Sequence, residues 1–371
     1  MFKSKDQKTL DQSSFKQEEQ ARFNLNERRD HLRELLINKA SSDVFSLSKV
    51  LEDVNTFPQL FGSDGSQKKL KNNVGLLNRG IVSGCVTGGR TNLNNQKDLV
   101  TVDLFESDSR NNLNELIKLS MRDCEYDVSY DFSNRNSDYF NSQSFTLIDD
   151  GSFKQLLWDV AKMQHFDKQY STLENPEIIK SRIKLAQNGR IKSFPKDISN
   201  QGSMVHAMLE EEIEFLEKIS QKEIFSVLLN PEEIFVQNHE GSLAVEQFRN
   251  SGFNNKLLTS KTSIDPLIAQ LMQDYAELLE NQLTTVFFKS SDNPHAIKVE
   301  FLNSINIKDL DFFKALGIEM RGITAVPLPI FQADNLSRNV INIARSVLNA
   351  QEAIGKSLQE RVFTRPIKFR D

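Results

Sequence analysis

The chain has 371 residues, 38% hydrophobic and 26% charged, with a formal net charge of −5. That length allows two domains of ordinary size, the composition supports a packed core, and the acidic balance argues against a general nucleic-acid coat. Two cysteines, Cys85 and Cys124, exclude a disulfide framework and a paired-cysteine zinc site. No apolar run of about 18 residues appears, so no membrane span is expected. The N-terminal MFKSKDQKTLDQSSFKQEEQ has no apolar core of a secretory signal. A cytoplasmic protein, or one in a particle assembled in the cytoplasm, is expected.

In chain order, residues 1–22 read as a polar arm. Asn26 caps a helix carrying Leu32, Leu35 and Leu36. Ser42 caps a second, with Val44, Leu47, Leu51 and Val54 at helical spacing. The string GSDGSQKKLKNN (62–73) reads as a loop. Strands are expected at Gly80–Val86 and Leu99–Phe105, a helix at Leu113–Met121, and a strand over CEYDVSYDF. FTLI then forms a strand, Asp149-Asp150-Gly151 a turn, and Leu156, Val160 and Met163 one face of a helix. Further helices are expected from Pro176 to Gly189, over 203–220, and from Pro266 to about Val286. The last third alternates: strand AIKVEFL, helix KDLDFFKAL, strand ITAVPLPIF and a final helix from Asp334 to about Val362. This predicts an α+β fold, helix-rich, with strands concentrated in 80–150 and 296–331 and a long C-terminal amphipathic helix. The expected organisation is an N-terminal arm with helices (1–60), a mixed region (61–200), and a helix-rich region with a basic tail (201–371).

Four features carry candidate chemistry. SGCVTGGRT (83–91) resembles the phosphate-binding loop of cysteine phosphatases, in which amides and an Arg fork cradle phosphate and activate the thiol. Four residues separate Cys85 from Arg90, one fewer than that loop uses, so a hairpin with a buried small residue is the competing reading. His206, Glu210 and Glu214 recur every four residues, a metal-compatible spacing, on a helix whose other glutamates make it read as a solvated acidic face. LEEEIEF in this helix faintly resembles a Gln-Glu-Glu helix of macrodomain ADP-ribose glycohydrolases, without the glycine run that precedes it there. Lys180, Arg182, Lys184, Arg190, Lys192 and Lys196 form a basic block without acids before that acidic helix, which reads as a solvated surface, as a docking face for another chain, or as a contact to nucleic acid. Leu336, Val340, Ile343, Val347, Ala350 and Ile354 form an apolar stripe with steps of four and three, a contact for its own domain or for another chain.

GxGxxG, GxxxxGK[ST] and HExxH are absent. The expectation is therefore a non-enzymatic structural subunit of a virion, a phage particle or a secretion machine, with no metal and no cofactor. It would bind other protein chains, by self-association or within a larger assembly, through Lys180, Arg182, Lys184, Arg190, Lys192, Ile343, Val347 and Ile354. A hydrolase using Cys85 and Arg90 is the alternative, and a nucleic-acid accessory protein the second alternative.

Overall fold

The computed structural model describes residues 27, 29–35, 38, 43–47, 58–70, 78–90, 99–107, 110–135, 144–149, 153–163, 183, 191–194, 224–237, 240–251, 266–302, 310–322 and 326–353. The fold is α+β. One nine-stranded sheet runs β1 (Asp43–Ser46), β7 (Glu233–Gln237), β8 (Leu283–Lys289), β9 (Ile297–Leu302), β6 (Ile191–Phe194), β5 (Ser144–Asp149), β2 (Gln59–Leu70), β3 (Asn78–Gly88) and β4 (Leu99–Ser107). Only β2/β5 and β5/β6 pair in parallel; the other neighbours are antiparallel.

Among the longer helices, α1 (Arg110–Arg135) and α2 (Phe153–Met163) lie on one sheet face. Phe132 of α1 meets Phe61 of β2, and the Ser63 hydroxyl donates to the Glu125 carbonyl. After α3 (Ile224–Leu228) and α4 (Glu240–Asn250), α5 (Pro266–Gln282) joins that layer. Its Tyr275 hydroxyl donates to the Phe153 carbonyl at 2.9 Å. The opposite face is covered by α6 (Leu310–Glu319) and α7 (Leu328–Ala353). Phe312 of α6 packs edge-on against Phe145 of β5, and the hydroxyls of Ser83 and Thr87 on β3 donate to the carbonyls of Ser337 and Pro329 on α7. With helices on both sides, β5, β8 and β9 are buried almost throughout, polar residues such as Thr146, Thr285, Lys298 and Glu300 included.

Several sequence expectations are corrected. The expected loop at 62–73 is largely β2, held in register with β3 from Phe61↔Gly88 to Leu70↔Arg79; pairing on a full ladder outweighs the Gly, Ser and Lys content. Residues 43–46 form β1, not a helix, because they complete the sheet edge beside β7. CEYDVSYDF lies within α1. Cys124, Val128 and Phe132 are spaced by four, which satisfies a two-residue and a helical period alike, and all three are buried toward the sheet. In ITAVPLPIF the described residues 326–331 are not a strand, since α7 starts at Leu328 just after Pro327, and Asp334 lies inside it rather than capping it. The expected helix from Pro266 ends at Gln282, where β8 takes over. The helices expected over 176–189 and 203–220 lie outside the described residues, apart from Ile183.

Candidate functional site

Parallel strands β2 and β5 end their pairing at Ser63↔Ile148. The next residue on each is acidic: Asp64, and Asp149 at the end of β5. The crevice beyond the carboxyl ends of parallel strands is where open α/β sheets hold ligands, because the loops and helices diverge there. β2 continues past this point with one edge no longer covered by β5. At that edge the Gly65 amide donates to Asp64 Oδ1 at 2.7 Å, which turns the carboxylate along the strand.

The third acid comes from α1. An added Cβ on Gly65 would lie 2.5 Å from Glu125 Oε1 and 2.8 Å from Met121 Cγ. The missing side chain of Gly65 is therefore what admits Glu125 to the sheet surface, one residue along the strand from Asp64. Asp64, Glu125 and Asp149 are all buried. The charge of Glu125 is felt at the adjacent Tyr126, whose hydroxyl is held well above its ordinary pKa, first by burial, then by the negative charges of Asp159 and Glu125. Arg122 works against that shift and pairs with Asp159 at 2.9 Å.

A second buried acid, Glu300 on β9, belongs to the scaffold. Lys298 Nζ and Lys154 Nζ stand 3.1 and 3.2 Å from its Oε1, and the Phe153 amide at the start of α2 donates to its Oε2. This ties β9 to α2, the helix that follows Asp149.

Among the described residues, no three His, Cys, Asp or Glu side chains converge closely enough to hold one metal ion. Asp64, Glu125 and Asp149 are thus a carboxylate cluster and not, as they stand, a three-ligand cation site.

The sequence-derived candidates lie elsewhere. Cys85 sits in the middle of β3, between Asp64 and Val100 in register, fully buried, so no ring of amides surrounds its thiol. Cys124 is buried on α1, and neither cysteine is in a disulfide. Arg90 follows β3; its amide donates to Glu319 Oε2 at 2.8 Å and its guanidinium to the Ile318 carbonyl. The phosphate-loop resemblance of 83–91 therefore has no counterpart in the fold: a strand interior cannot wrap an anion. Lys192 is a core residue, its ammonium 4.1 Å from the centre of the Phe301 ring and also over Phe145 and Phe312. Ile343 and Val347 are exposed, 61% and 44%, because α7 turns Ile330, Ala333, Ser337, Ile341 and Leu348 to the sheet instead. Lys180, Arg182, Lys184, Arg190, His206, Glu210 and Ile354 lie outside the described residues. No helix among the described residues is long and apolar enough to cross a membrane.

Sequence reasoning missed Asp64, Glu125 and Asp149. The usable signals were small residues around an acid (GSDGS) and an apolar strand ending in one (FTLID).

No family model and no curated protein sequence matches the chain. Solved structures do. The NurA nuclease from Sulfolobus solfataricus aligns at 11% identity over 91% of this chain and 98% of its own, with a TM-score of 0.47. NurA bound to dAMP and manganese aligns at 10% identity over 85% and 92%, with a TM-score of 0.36. LC9-RNase H1, a type 1 RNase H, covers 42% of this chain and 72% of its own at a TM-score of 0.21. The expectation of a structural virion, phage or secretion-machine subunit is corrected at this point, because the structures that resemble the chain are those of nucleases and not of assembly subunits.

Proposed function

We propose that the chain is a nuclease, hydrolysing phosphodiester bonds of nucleic acid at Asp64, Glu125 and Asp149. The observation that carries this reading is the placement of three buried carboxylates, from β2, α1 and β5, around the carboxyl ends of two parallel strands: Asp64 and Asp149 each follow the last residue paired between those strands, and Glu125 lies against Gly65. A carboxylate beside a water that attacks phosphorus accepts the proton the water loses, the P–O bond to the leaving oxygen breaks, and that oxygen is reprotonated. No step in this scheme runs through a bound ion. The partner implied is a polynucleotide. Its phosphates must be drawn to an acidic crevice by cationic groups nearby, since three carboxylates alone repel them.

The test is cleavage of end-labelled single-stranded and duplex DNA, in buffers with and without divalent ions. Wild-type chain is expected to cleave in at least one buffer. Glu125→Gln, which keeps shape and removes charge, is expected to lower the rate by about a hundredfold at unchanged melting temperature. Full activity in Glu125→Gln would remove Glu125 from the site.

Gly65→Ala separates position from charge. Its new methyl meets Glu125 Oε1 and the Cγ atoms of Met121 and Glu125, so these side chains must shift. The chain is expected to fold with a stability loss of about 1–3 kcal/mol, while activity falls about tenfold to a hundredfold, the effect of displacing a reacting group by about 1 Å. A rate equal to wild type would show that Glu125 need not lie over Gly65.

A further inference from the structure

Past Asp64, β2 and α1 run side by side and leave a cleft of about 440 Å³ between them. It is lined by Gln67, Lys68, Lys69, Asn114, Ile117 and Lys118. Three lysines and two amides line it, with no carboxylate among the lining residues, on a chain whose net charge is −5. Gln67 and Lys69 share the α1 side of β2 with Gly65, whereas the Lys68 ammonium turns to α7 on the other face. A concave site of one sign focuses its field and raises the local concentration of the opposite charge.

The cleft lies along the same two elements that carry Asp64 and Glu125. Gln67 lies three residues beyond Asp64 on β2, about 10 Å at the rise of a strand. Lys118 lies seven residues before Glu125 on α1, also about 10 Å and on the same helix face. Both elements thus carry their lysines away from the acids in the same direction, Lys69 lying five residues, about 17 Å, beyond Asp64. The Lys68 ammonium donates to Asn342 Oδ1 of α7 at 3.3 Å.

We infer that Lys69 and Lys118 form a phosphate-binding track that holds one strand of a polynucleotide and leads it to the carboxylates. The inference rests on the nuclease reading for its direction, and its test is independent of turnover. Gln67 and Asn114 donate to phosphate or sugar oxygens, and Ile117 supplies an apolar floor. The contacts are to the backbone, so binding is independent of base sequence.

The experiment measures binding of a fluorescein-labelled single-stranded 20-mer by anisotropy, in EDTA, over a range of KCl concentrations. Replacing Lys69 and Lys118, both exposed, together by Gln is expected to weaken binding at least about tenfold near 0.1 M salt. It should also make the slope of log K against log salt shallower by about 1.4, since each phosphate contact on a single strand contributes about 0.7. Adding Lys68→Gln to this pair, which also removes the Lys68–Asn342 bond, should weaken binding no further. Arg249→Gln, on α4 and paired with Glu280, controls for loss of a cation elsewhere and should bind as wild type. Wild-type affinity and slope in both lysine variants, or no binding by the wild-type chain at low salt, would overturn the track. A chain that binds through the lysines but cleaves nothing overturns the nuclease reading alone. One that cleaves but binds equally without the lysines overturns the track alone.

Discussion

Glu300→Ala is expected to lower the unfolding free energy by about 3–5 kcal/mol, the usual cost of removing one member of a buried charge cluster. Glu300 is fully buried and Lys298 nearly so. The substitution removes the carboxylate that Lys298 and Lys154 approach at 3.1 and 3.2 Å, and the acceptor of the Phe153 amide. Most of the loss comes from the Lys298 ammonium that stays behind in a low-dielectric interior. The pair Glu300→Leu with Lys298→Met should therefore recover a large share of the stability, as apolar residues of similar volume replace buried ions at little cost. Urea denaturation of the two variants checks this. A loss below about 1 kcal/mol in Glu300→Ala, or no recovery in the double variant, would show that the cluster is not what ties β9 to α2.

Gly62→Val is the second large effect. A Cβ at Gly62 falls well inside contact distance of the Pro329 carbonyl and the Ile330 nitrogen at the start of α7. These are backbone atoms, so no rotamer relieves the clash, and either α7 or β2 must shift. A cost of about 3 kcal/mol is expected, at the upper end for overpacking. Gly317→Ala on α6 is the contrast: its Cβ would meet only Phe288 Cζ at 3.5 Å, an ordinary contact. Replacing a helix-interior glycine there should be neutral or stabilising by up to about 1 kcal/mol. Thermal unfolding of the two variants reads the difference directly.

The fold was partly legible in the sequence. Strands β3, β4, β5 and β9 and helices α2 and α6 follow from apolar periodicity, since each buries a regular face. The residues of the site were not legible, for a physical reason that recurs at each. Asp64 sits in GSDGS, which has turn composition because a strand that admits a helix side chain and bends its own carboxylate needs small neighbours. Glu125 sits in CEYDVSYDF, where apolar residues on alternate positions mimic a strand although the segment is a helix buried on more than one side. Asp149 ends an apolar strand, and with Asp150 and Gly151 after it reads as turn chemistry. In all three cases a buried acid is carried by a pattern that propensity assigns to another state. Tertiary pairing decides the outcome: the β2–β3 ladder and the packing of α1 on it.

The same reasoning explains why Cys85 and Lys192 attracted attention that the fold does not support. A Gly-rich stretch after a cysteine suggests a loop, but here Gly84 gives room for the Cys124 carbonyl of α1 against the sheet, and Cys85 is one rung of the ladder. Lys192 belongs to a basic run in sequence, yet β6 is an interior strand and its side chain enters a box of three phenylalanine rings. Charge runs report on surface only where the strand carrying them is at an edge.

The proposed action of Asp64 and Asp149, neighbours on paired strands, on phosphodiesters is tested by the cleavage rate of an end-labelled single-stranded DNA by wild-type chain, Asp64→Asn and Asp149→Asn, prepared in parallel and matched by circular dichroism. Cleavage by the wild-type chain is expected, with a loss of about a hundredfold or more in each variant. Equal rates in all three preparations, or no cleavage by a folded wild-type chain, would contradict it.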